Sequence, residues 1–199
     1  MHAEGYDASA ARTMRLRRRT IAALELSPGE AVLDVACGTG LSFALLVAAV
    51  GREGRVTGVE LSPEMARLAR DRIAGAGWPN VTLIAAAAEE AVLGGPFDAV
   101  LFNFTHDVLQ SRAALARIFA ATRPGARVAV SGSKFLPWWL APVNAVVRRM
   151  NEPYVTTLGG MHQPWRYLVD YVPDLCIRPA LWGAAYSASG RYARPESVT

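Results

Sequence analysis

The stretch Val32-Leu33-Asp34-Val35-Ala36-Cys37-Gly38-Thr39-Gly40 decides the fold. A largely apolar run that is typical of a buried β-strand leads directly into a glycine-rich turn, and the apolar segment Leu41–Val50 that follows is typical of a helix. In an open α/β sheet, ligands bind outside the carboxyl ends of the strands, beside the first strand. Because glycine has no Cβ atom, a ligand can approach the backbone closely there. The sequence therefore predicts a ligand site at Gly38 and Gly40.

Apolar runs alternate with helical segments as far as Ser133. Strands are predicted at Ala31–Ala36, Arg55–Glu60, Val81–Ala86, Phe97–Phe104 and Arg127–Ser131. Helices are predicted at Leu41–Val50, Pro63–Ala74 and Ser111–Thr122, with a turn at Pro124–Gly125, and further along near Ala141–Met150 and Trp165–Tyr171. Two final strands, Leu175–Arg178 and Ala184–Gly190, have only a turn at 179–183 between them and would pair antiparallel. This order predicts an α/β fold, a Rossmann-like doubly wound and mostly parallel sheet with a C-terminal antiparallel strand pair.

Composition favours one folded domain. The chain has 199 residues, of which 52% are hydrophobic and 19% charged, values that exclude extensive disorder. We expect one domain over 1–199, with a basic helical segment at 1–25 and an insertion on the substrate side of the sheet at 134–172. No apolar run is long enough to span a membrane and the first residues are polar, so a cytoplasmic location is expected. Cys37 and Cys176 have neither CxxC nor zinc-ligand spacing, so no metal site is expected.

Two features help to distinguish the possible ligands of the glycine loop. A dinucleotide-binding fingerprint would read GxGxxG, but from Gly38 onward the third glycine position is occupied by Phe43. Glu60 follows Gly40 by twenty residues, at the end of the second predicted strand. Its two carboxylate oxygens can accept hydrogen bonds from both hydroxyls of a ribose, although an acidic residue near a helix start also occurs simply as a surface group. Glycines and acid together favour a nucleoside ligand other than a dinucleotide.

The ordered motifs resemble those of the class I S-adenosylmethionine-dependent methyltransferases. They are DVACGTG after the first strand, GVELSPEM, FDAV in the fourth strand and RPGARVAVSG in the fifth, so the resemblance covers about Ala31 to Ser133. It implies S-adenosylmethionine as cofactor and S-adenosylhomocysteine as product. By this resemblance Asp34, Gly38 and Gly40 line the amino-acid end of the cofactor and Glu60 binds the ribose. Leu61 and Met65 would pack near the adenine, and the backbone around Asn103 would contact the methionine part.

The sequence departs from the family in two places. Many relatives carry Gly-Asp-Ala-Glu after the third strand, whose Asp binds the adenine amine, whereas this chain has Ala86-Ala87-Ala88-Glu89. One polar contact is therefore missing at Ala87, a loss of about 1 kcal/mol of binding, which Ala88 N–H or Glu89 could offset. Ala36 stands where a glycine is common in the family.

The acceptor side carries a histidine and several aromatic residues. His106, after the fourth strand, has a side chain whose pKa suits a general base, or it braces the following loop. The insertion contains Tyr154, His162 and Trp165 as candidate substrate residues, because aromatic groups with polar ends suit an amphipathic or aromatic ligand. The alternative is that these residues close a lid over the core.

Three functions remain open from the sequence. The first is methyl transfer to a small-molecule acceptor. The second is methylation of phospholipid head groups, for which the five arginines between Arg12 and Arg19 and the segment FLPWWLAPV offer contact with an anionic membrane. The third is a cofactor-binding protein without catalysis, because fold alone does not establish activity. A nucleic-acid partner is not expected, since Asn103-Phe104-Thr105-His106 lacks the Pro-Pro-aromatic signature of amino-methylating DNA enzymes. The oligomeric state is left open.

Overall fold

A seven-stranded sheet is the centre of the molecule. The computed structural model describes residues 13–152 and 155–194. The strands are β1 (Ala31–Val35), β2 (Arg55–Val59), β3 (Val81–Ile84), β4 (Phe97–Asn103), β5 (Thr122–Ser133), β6 (Cys176–Ala180) and β7 (Ala185–Arg191). Their order in the sheet is β3-β2-β1-β4-β5-β7-β6. β1 to β5 pair in parallel, whereas β7 is antiparallel to both β5 and β6. The predicted fold class is confirmed.

Helices cover both faces of this sheet. They are α1 (Met14–Ala22), α2 (Phe43–Val50), α3 (Pro63–Ala76), α4 (His106–Gln110), α5 (Arg112–Ala120) and α6 (Ala141–Asn151), with 3₁₀ turns at Trp138–Leu140, Leu168–Asp170 and Leu181–Gly183. One apolar cluster joins α1, α2 and α3 to the sheet, and a second joins α4, α5 and the segment around Leu168 to the opposite face. Burial on both faces explains why all five residues of β1 are buried.

Local sequence signals position the helix after β2. The Ser62 hydroxyl accepts a hydrogen bond from Met65 N–H, and Pro63 is at the first helical position of α3. The helix ends at Gly77, which has the left-handed backbone conformation with φ of 64°. These contacts fix the direction in which the chain leaves β2, and therefore the position of Glu60.

Several predicted boundaries were wrong. β1, β2 and β3 end one or two residues before the predicted ends, and α4 was not predicted because it is only one turn long and follows a strand directly. The segment predicted as a helix near Trp165–Tyr171 has a 3₁₀ turn only at Leu168–Asp170, and the turn between the last strands is the 3₁₀ segment Leu181–Gly183.

The Pro124–Gly125 pair lies within β5 and not in a turn before it. Phe97 of β4 pairs with Thr122 and Ala99 pairs with Arg127, so the intervening residues of β5 form a bulge. Gly125 adopts a φ of 82° and donates its N–H to the Tyr192 carbonyl at 2.8 Å. This hydrogen bond keeps the bulge attached to the end of β7.

The segments at the ends of the chain are described in part. α1 lies within the predicted basic segment 1–25, while residues 1–12, Arg12 among them, fall outside the described residues. Within the described ranges, no helix is long and apolar enough to cross a membrane. The division into a basic segment, a core and an insertion stays a prediction.

Candidate active site

The glycine loop after β1 is shaped by the ring of Phe43. A Cβ atom added to Gly40, whose φ is 78°, would lie 2.6 Å from two ring carbons of Phe43. A Cβ atom on Gly58 of β2 would lie 2.7 Å from the same ring. Phe43 is fully buried, so it fills the space between α2, the loop and β2. In a dinucleotide fingerprint a third glycine at the position of Phe43 lets the helix pack closely on the strand. The large Phe43 ring fills this space instead, so the loop is built differently from a dinucleotide site.

Ala36 begins the turn with a backbone conformation that suits glycine. Its φ is 47°, in the left-handed region where a Cβ atom crowds the carbonyl group. The next residue, Cys37, donates its N–H to the Val59 carbonyl at 3.0 Å, which holds the turn against the end of β2. The turn is thus maintained by the sheet even though Ala36 is strained.

Glu60 connects the two strand ends that border the loop. One of its carboxylate oxygens accepts from Gly38 N–H at 2.9 Å and the other from Ser62 N–H at 2.8 Å. The side chain is buried. Glu60 is therefore a structural brace of the glycine loop, and each oxygen retains a lone pair for a further donor.

Asp34 at the end of β1 is a second buried carboxylate, with very different surroundings. It is 1% exposed, and neither oxygen has a hydrogen-bond partner among the described residues. Burial raises the pKa of Asp34 to about 7, although the Arg17 charge and the Ser42 hydroxyl act in the opposite direction. A buried carboxyl group without partners is costly in a folded protein, and Asp34 is therefore a candidate for contact with a ligand.

Arg17 of α1 is the site residue that the sequence reasoning missed. It is 3% exposed, and its Nη1 donates to the Ser42 hydroxyl at 2.8 Å. The sequence signal was present, because Arg17 has helical spacing to the buried Thr20 and Ile21. The other described arginines of this run, Arg15, Arg18 and Arg19, are exposed.

Polar side chains link this arginine to the ends of β4 and β5. Asn103 Nδ2 approaches the same Ser42 hydroxyl at 3.5 Å, and Asn103 Oδ1 accepts from the Ser131 hydroxyl at 2.6 Å. Ser42, Asn103 and Ser131 are all buried. The network brings four elements together at the carboxyl edge of the sheet, where the sequence predicted the site.

The residues expected around an adenine ring differ in their exposure. Leu61 is 69% exposed, and Met65 is buried. The loop after β3 places Ala88 in a buried position and Glu89 at the surface, while the Ala87 carbonyl accepts from Glu90 and Ala91 N–H at 3.0 and 2.9 Å. The exposed Leu61 leaves an apolar surface next to Glu60.

His106 lies at the first turn after β4 and is bound to the insertion. Its Nε2 donates to the Gly159 carbonyl at 2.9 Å, so the proton is on Nε2 and Nδ1 keeps its lone pair. Nδ1 is buried and has no partner among the described residues. Burial lowers the pKa of His106 below its usual value, which keeps the ring neutral near pH 7.

The insertion places the other candidate substrate residues in different surroundings. Tyr154 lies outside the described residues. His162 is exposed and packs edge-on against Phe135, with ring centroids 5.5 Å apart. Trp165 is half-buried and contacts the ring of the buried Tyr186 at 4.7 Å. Trp165 therefore packs against the core in this structure, as the lid alternative expects.

Comparison with known proteins identifies the family. The family described as a methyltransferase domain matches residues 32–125. The demethylmenaquinone methyltransferase of Listeria monocytogenes is 29% identical over 68% of this chain and 59% of its own length. The ubiquinone/menaquinone biosynthesis C-methyltransferase UbiE of Burkholderia cenocepacia is 34% identical over 56% of this chain and 46% of its own. The chain thus spans less than two thirds of the length of these relatives.

A solved structure agrees. The S-adenosylmethionine-dependent methyltransferase from Aquifex aeolicus superposes with a TM-score of 0.63 at 17% identity, covering 89% of both chains, which shows a shared fold. Residues 32–125 of this chain therefore match the methyltransferase-domain family, of the class I S-adenosylmethionine-dependent type. The resemblance found in the sequence is confirmed, and the cofactor of the family is S-adenosylmethionine.

In this chain the ends of β2 and β4 lie on either side of β1. Parallel pairing of β1 with both β2 and β4 brings Val35 opposite Val59 and Phe102. Glu60 and Asn103, each the next residue along, therefore flank the glycine loop from opposite sides. A nucleoside bound at Glu60 would extend across the loop toward Asn103 and His106.

Proposed function

We propose that this chain transfers the methyl group of S-adenosylmethionine to a small-molecule acceptor and releases S-adenosylhomocysteine. The observation that carries the proposal is the pair of buried carboxylates, Asp34 and Glu60, on either side of the glycine loop. Glu60 fits the two ribose hydroxyls, because each of its oxygens has a lone pair left after binding one backbone N–H. The unpartnered oxygens of Asp34 fit the ammonium group of the methionine part.

The adenine ring then lies beyond Glu60. Leu61 and Met65 supply the apolar contacts, with Ala87, Ala88 and Glu89 on the other side of the ring. Because the loop after β3 has alanines where relatives have an aspartate, the adenine is held by packing and by backbone groups more than by side-chain hydrogen bonds. Ala36, Gly38, Gly40 and Asn103 line the methionine part.

Bound S-adenosylmethionine supplies a methyl group attached to a positively charged sulfonium sulfur, and this sulfur is the leaving group, as a neutral thioether, for an acceptor that attacks in line. The chain's contribution is mainly to hold the two reactants in position. His106 Nδ1 accepts the proton that the acceptor loses, because its lone pair is unpartnered and its Nε2 proton is fixed by Gly159. The low pKa of His106 keeps this base unprotonated at neutral pH.

A ring compound of the quinol type is the acceptor that we favour. The support comes from the relatives, which are named as quinone methyltransferases. With such an acceptor the nucleophile would be a ring carbon, and His106 Nδ1 would accept the proton that this carbon loses as it takes the methyl group. The relatives give no support to phospholipid head groups as acceptors. His162, Trp165 and Tyr154 remain the candidates for contact with the ring.

Calorimetry followed by a methyl-transfer assay tests this function. The purified chain should bind S-adenosylmethionine and, with a demethylmenaquinol of short side chain, release S-adenosylhomocysteine. Absence of binding at millimolar cofactor would overturn the proposal. Binding without turnover on any small acceptor would favour the cofactor-binding protein without catalysis.

The His106 role has its own signature. The lowered pKa of this group predicts that kcat stays level as the pH falls from 8 to about 6.5 and declines only at more acidic pH, where the ring is protonated. His106→Gln should lower kcat by about 10²-fold or more and remove this decline. A variant with the same pH profile and normal kcat would show that His106 only braces the loop.

We also propose peripheral contact of the insertion with an anionic membrane surface. Trp138 is 80% exposed, and Val147 is the only buried residue of α6. An apolar strip and two cations are accessible on this part of the insertion: Trp138, Trp139, Val143, Val146 and Met150, with Arg148 and Arg149. Exposed tryptophans beside arginines suit the interface of an anionic bilayer, from which a lipophilic acceptor would enter. The cytoplasmic location stays a prediction.

Co-sedimentation with vesicles containing phosphatidylglycerol tests this contact. We expect binding that weakens in high salt and is lost when Trp138 and Trp139 are both changed to serine. Val92→Ser is the matched control, since Val92 is equally exposed but precedes β4, away from the insertion. If the wild-type protein stays in the supernatant with these vesicles, the proposed contact with an anionic membrane is wrong.

A further inference from the structure

One arginine of the N-terminal run is separated from the rest by its environment. Arg17 points into the protein while its described neighbours Arg15, Arg18 and Arg19 face solvent. The α1 helix contacts β4, β5, β7 and α2, so this side chain is directed at the carboxyl edge next to the glycine loop. We propose that Arg17 binds the carboxylate of the cofactor's amino-acid group, an inference that rests on the proposed function.

Arg17 uses only part of its hydrogen-bonding capacity within the described chain. Its Nη1 donates to the neutral hydroxyl of Ser42, while its buried Nε has no partner in the described part of the chain. A buried guanidinium group is stable only when its charge is compensated. Asp34 lies near enough to Arg17 and to the Ser42 hydroxyl for both to lower its pKa. Neither of its oxygens has a described donor in hydrogen-bonding geometry, so the two charges are not paired directly.

The two unpartnered charges match a zwitterion. The amino-acid group of S-adenosylmethionine carries one carboxylate and one ammonium, and the site presents one guanidinium and one carboxylate. The planar guanidinium is suited to a carboxylate through two parallel hydrogen bonds, and Asp34 to the ammonium. Each buried charge would gain a partner of opposite charge, with the Ser42 hydroxyl next to Arg17 Nη1.

This assignment makes α1 part of the cofactor pocket. Because Arg17 extends from the middle of α1, cofactor binding connects this helix to the loop after β1. The basic run then contains residues of two kinds: three described arginines that are exposed and one buried arginine that would bind the ligand.

The test compares two ligands that differ only in the carboxylate. Calorimetry at pH 8 with S-adenosylmethionine and with its decarboxylated form, which ends in the amine alone, is carried out on wild type, Arg17→Met and Arg18→Met. We expect the wild type to bind S-adenosylmethionine at least tenfold more tightly than the decarboxylated form. Arg17→Met should lose at least tenfold for S-adenosylmethionine and less than twofold for the decarboxylated form. Arg18→Met, a change at an exposed neighbour on the same helix, should match the wild type.

Other outcomes separate this proposal from the proposed function. Wild type that binds neither ligand would overturn the function itself. Wild type that binds both ligands equally, or an Arg17→Met variant that loses the same factor for both, would overturn only the role of Arg17 and leave it as a packing residue. If Arg17→Met does not fold, Arg17→Lys is measured instead. Lysine keeps the positive charge but not the two parallel N–H donors of the guanidinium, so the preference for S-adenosylmethionine over the decarboxylated form should be smaller than in wild type but still present.

Discussion

The cofactor side and the acceptor side of the sheet edge are built by different means. On the cofactor side, the charged groups Arg17, Asp34 and Glu60 are buried, and the backbone of the glycine loop is part of the core packing. On the acceptor side, the insertion packs on the core through buried residues such as Leu168 and Val172, but its outer part is exposed, and Trp138 lies in solvent.

This difference indicates which residues of the site also contribute to the stability of the fold. A change on the cofactor side disturbs fold and function together, because ligand-binding atoms and core atoms are the same. A change at an exposed residue on the acceptor side should alter function with little effect on folding, since such a residue buries little surface.

The largest effect is expected for Gly40→Ala. The new Cβ atom would meet the buried Phe43 ring at 2.6 Å, in a backbone conformation with φ of 78° that side chains rarely adopt. Together these should cost about 2–5 kcal/mol of unfolding free energy and abolish cofactor binding. Denaturant unfolding measures this cost. The control is Gly75→Ala in α3, where nothing lies within 4 Å and helix propensity predicts a small gain. Equal stability of the two variants would show that the loop is not part of the core.

Asp34→Asn should change how stability depends on pH. The pKa of Asp34 is raised from its ordinary 3.8 to about 7 in the folded protein. The folded state therefore binds the Asp34 proton more tightly than the unfolded state does. The stability that the protonated carboxyl contributes is fully present below pH 3.8 and is lost as the pH rises to about 7. Relative to the variant, wild type should lose about 1–4 kcal/mol over this range and none above it. Parallel curves from pH 4 to 8 would contradict the raised pKa.

Glu60→Ala should weaken S-adenosylmethionine binding at least tenfold, about 1.4 kcal/mol. The variant loses the acceptor of Gly38 N–H as well as the proposed ribose contact. Glu60→Gln keeps one acceptor oxygen, so its affinity for S-adenosylmethionine in calorimetry should lie between those of the wild type and Glu60→Ala. Unchanged affinity in both variants would mean that the ribose lies elsewhere and that Glu60 is only a brace.

Ala36→Gly is expected to stabilise the protein. Glycine removes the Cβ strain at a φ of 47°, and the entropy of a more flexible unfolded chain offsets part of the gain. The net effect should be at most about 1 kcal/mol, measured by thermal unfolding. Destabilisation here would show that the alanine methyl group makes packing contacts that outweigh the strain.

Trp138→Ser should have the smallest effect on folding. Its side chain is 80% exposed, so the unfolding free energy should change by less than about 0.5 kcal/mol. Trp165→Ser provides the comparison, because Trp165 packs on Tyr186 and should cost clearly more. A large loss for Trp138 would remove the distinction between the two sides of the edge.

Some site features were predictable because their signals are local. Gly38, Gly40 and Glu60 follow strand ends whose apolar runs can be read directly, and parallel strands bring such ends to one edge. Ser62 and Pro63 mark the start of α3 for the same local reason. The environment of Arg17 was missed because a run of arginines is typical of a solvated face, and only the packing of α1 on the sheet shows which one is buried.

The sequence by itself determined the order of strands and helices, the glycine loop and the acid that follows it, since these depend on periodicity and on residues close together in the chain. Only the tertiary structure decided that Phe43 closes the loop, that Glu60 is already bound by Gly38 and Ser62, and that Arg17 meets Ser42 near Asp34. The physical reason is burial. The charge state of a side chain and the partners of its hydrogen-bonding groups depend on which distant residues exclude water from it, and those residues come into contact only when the helices pack on the sheet.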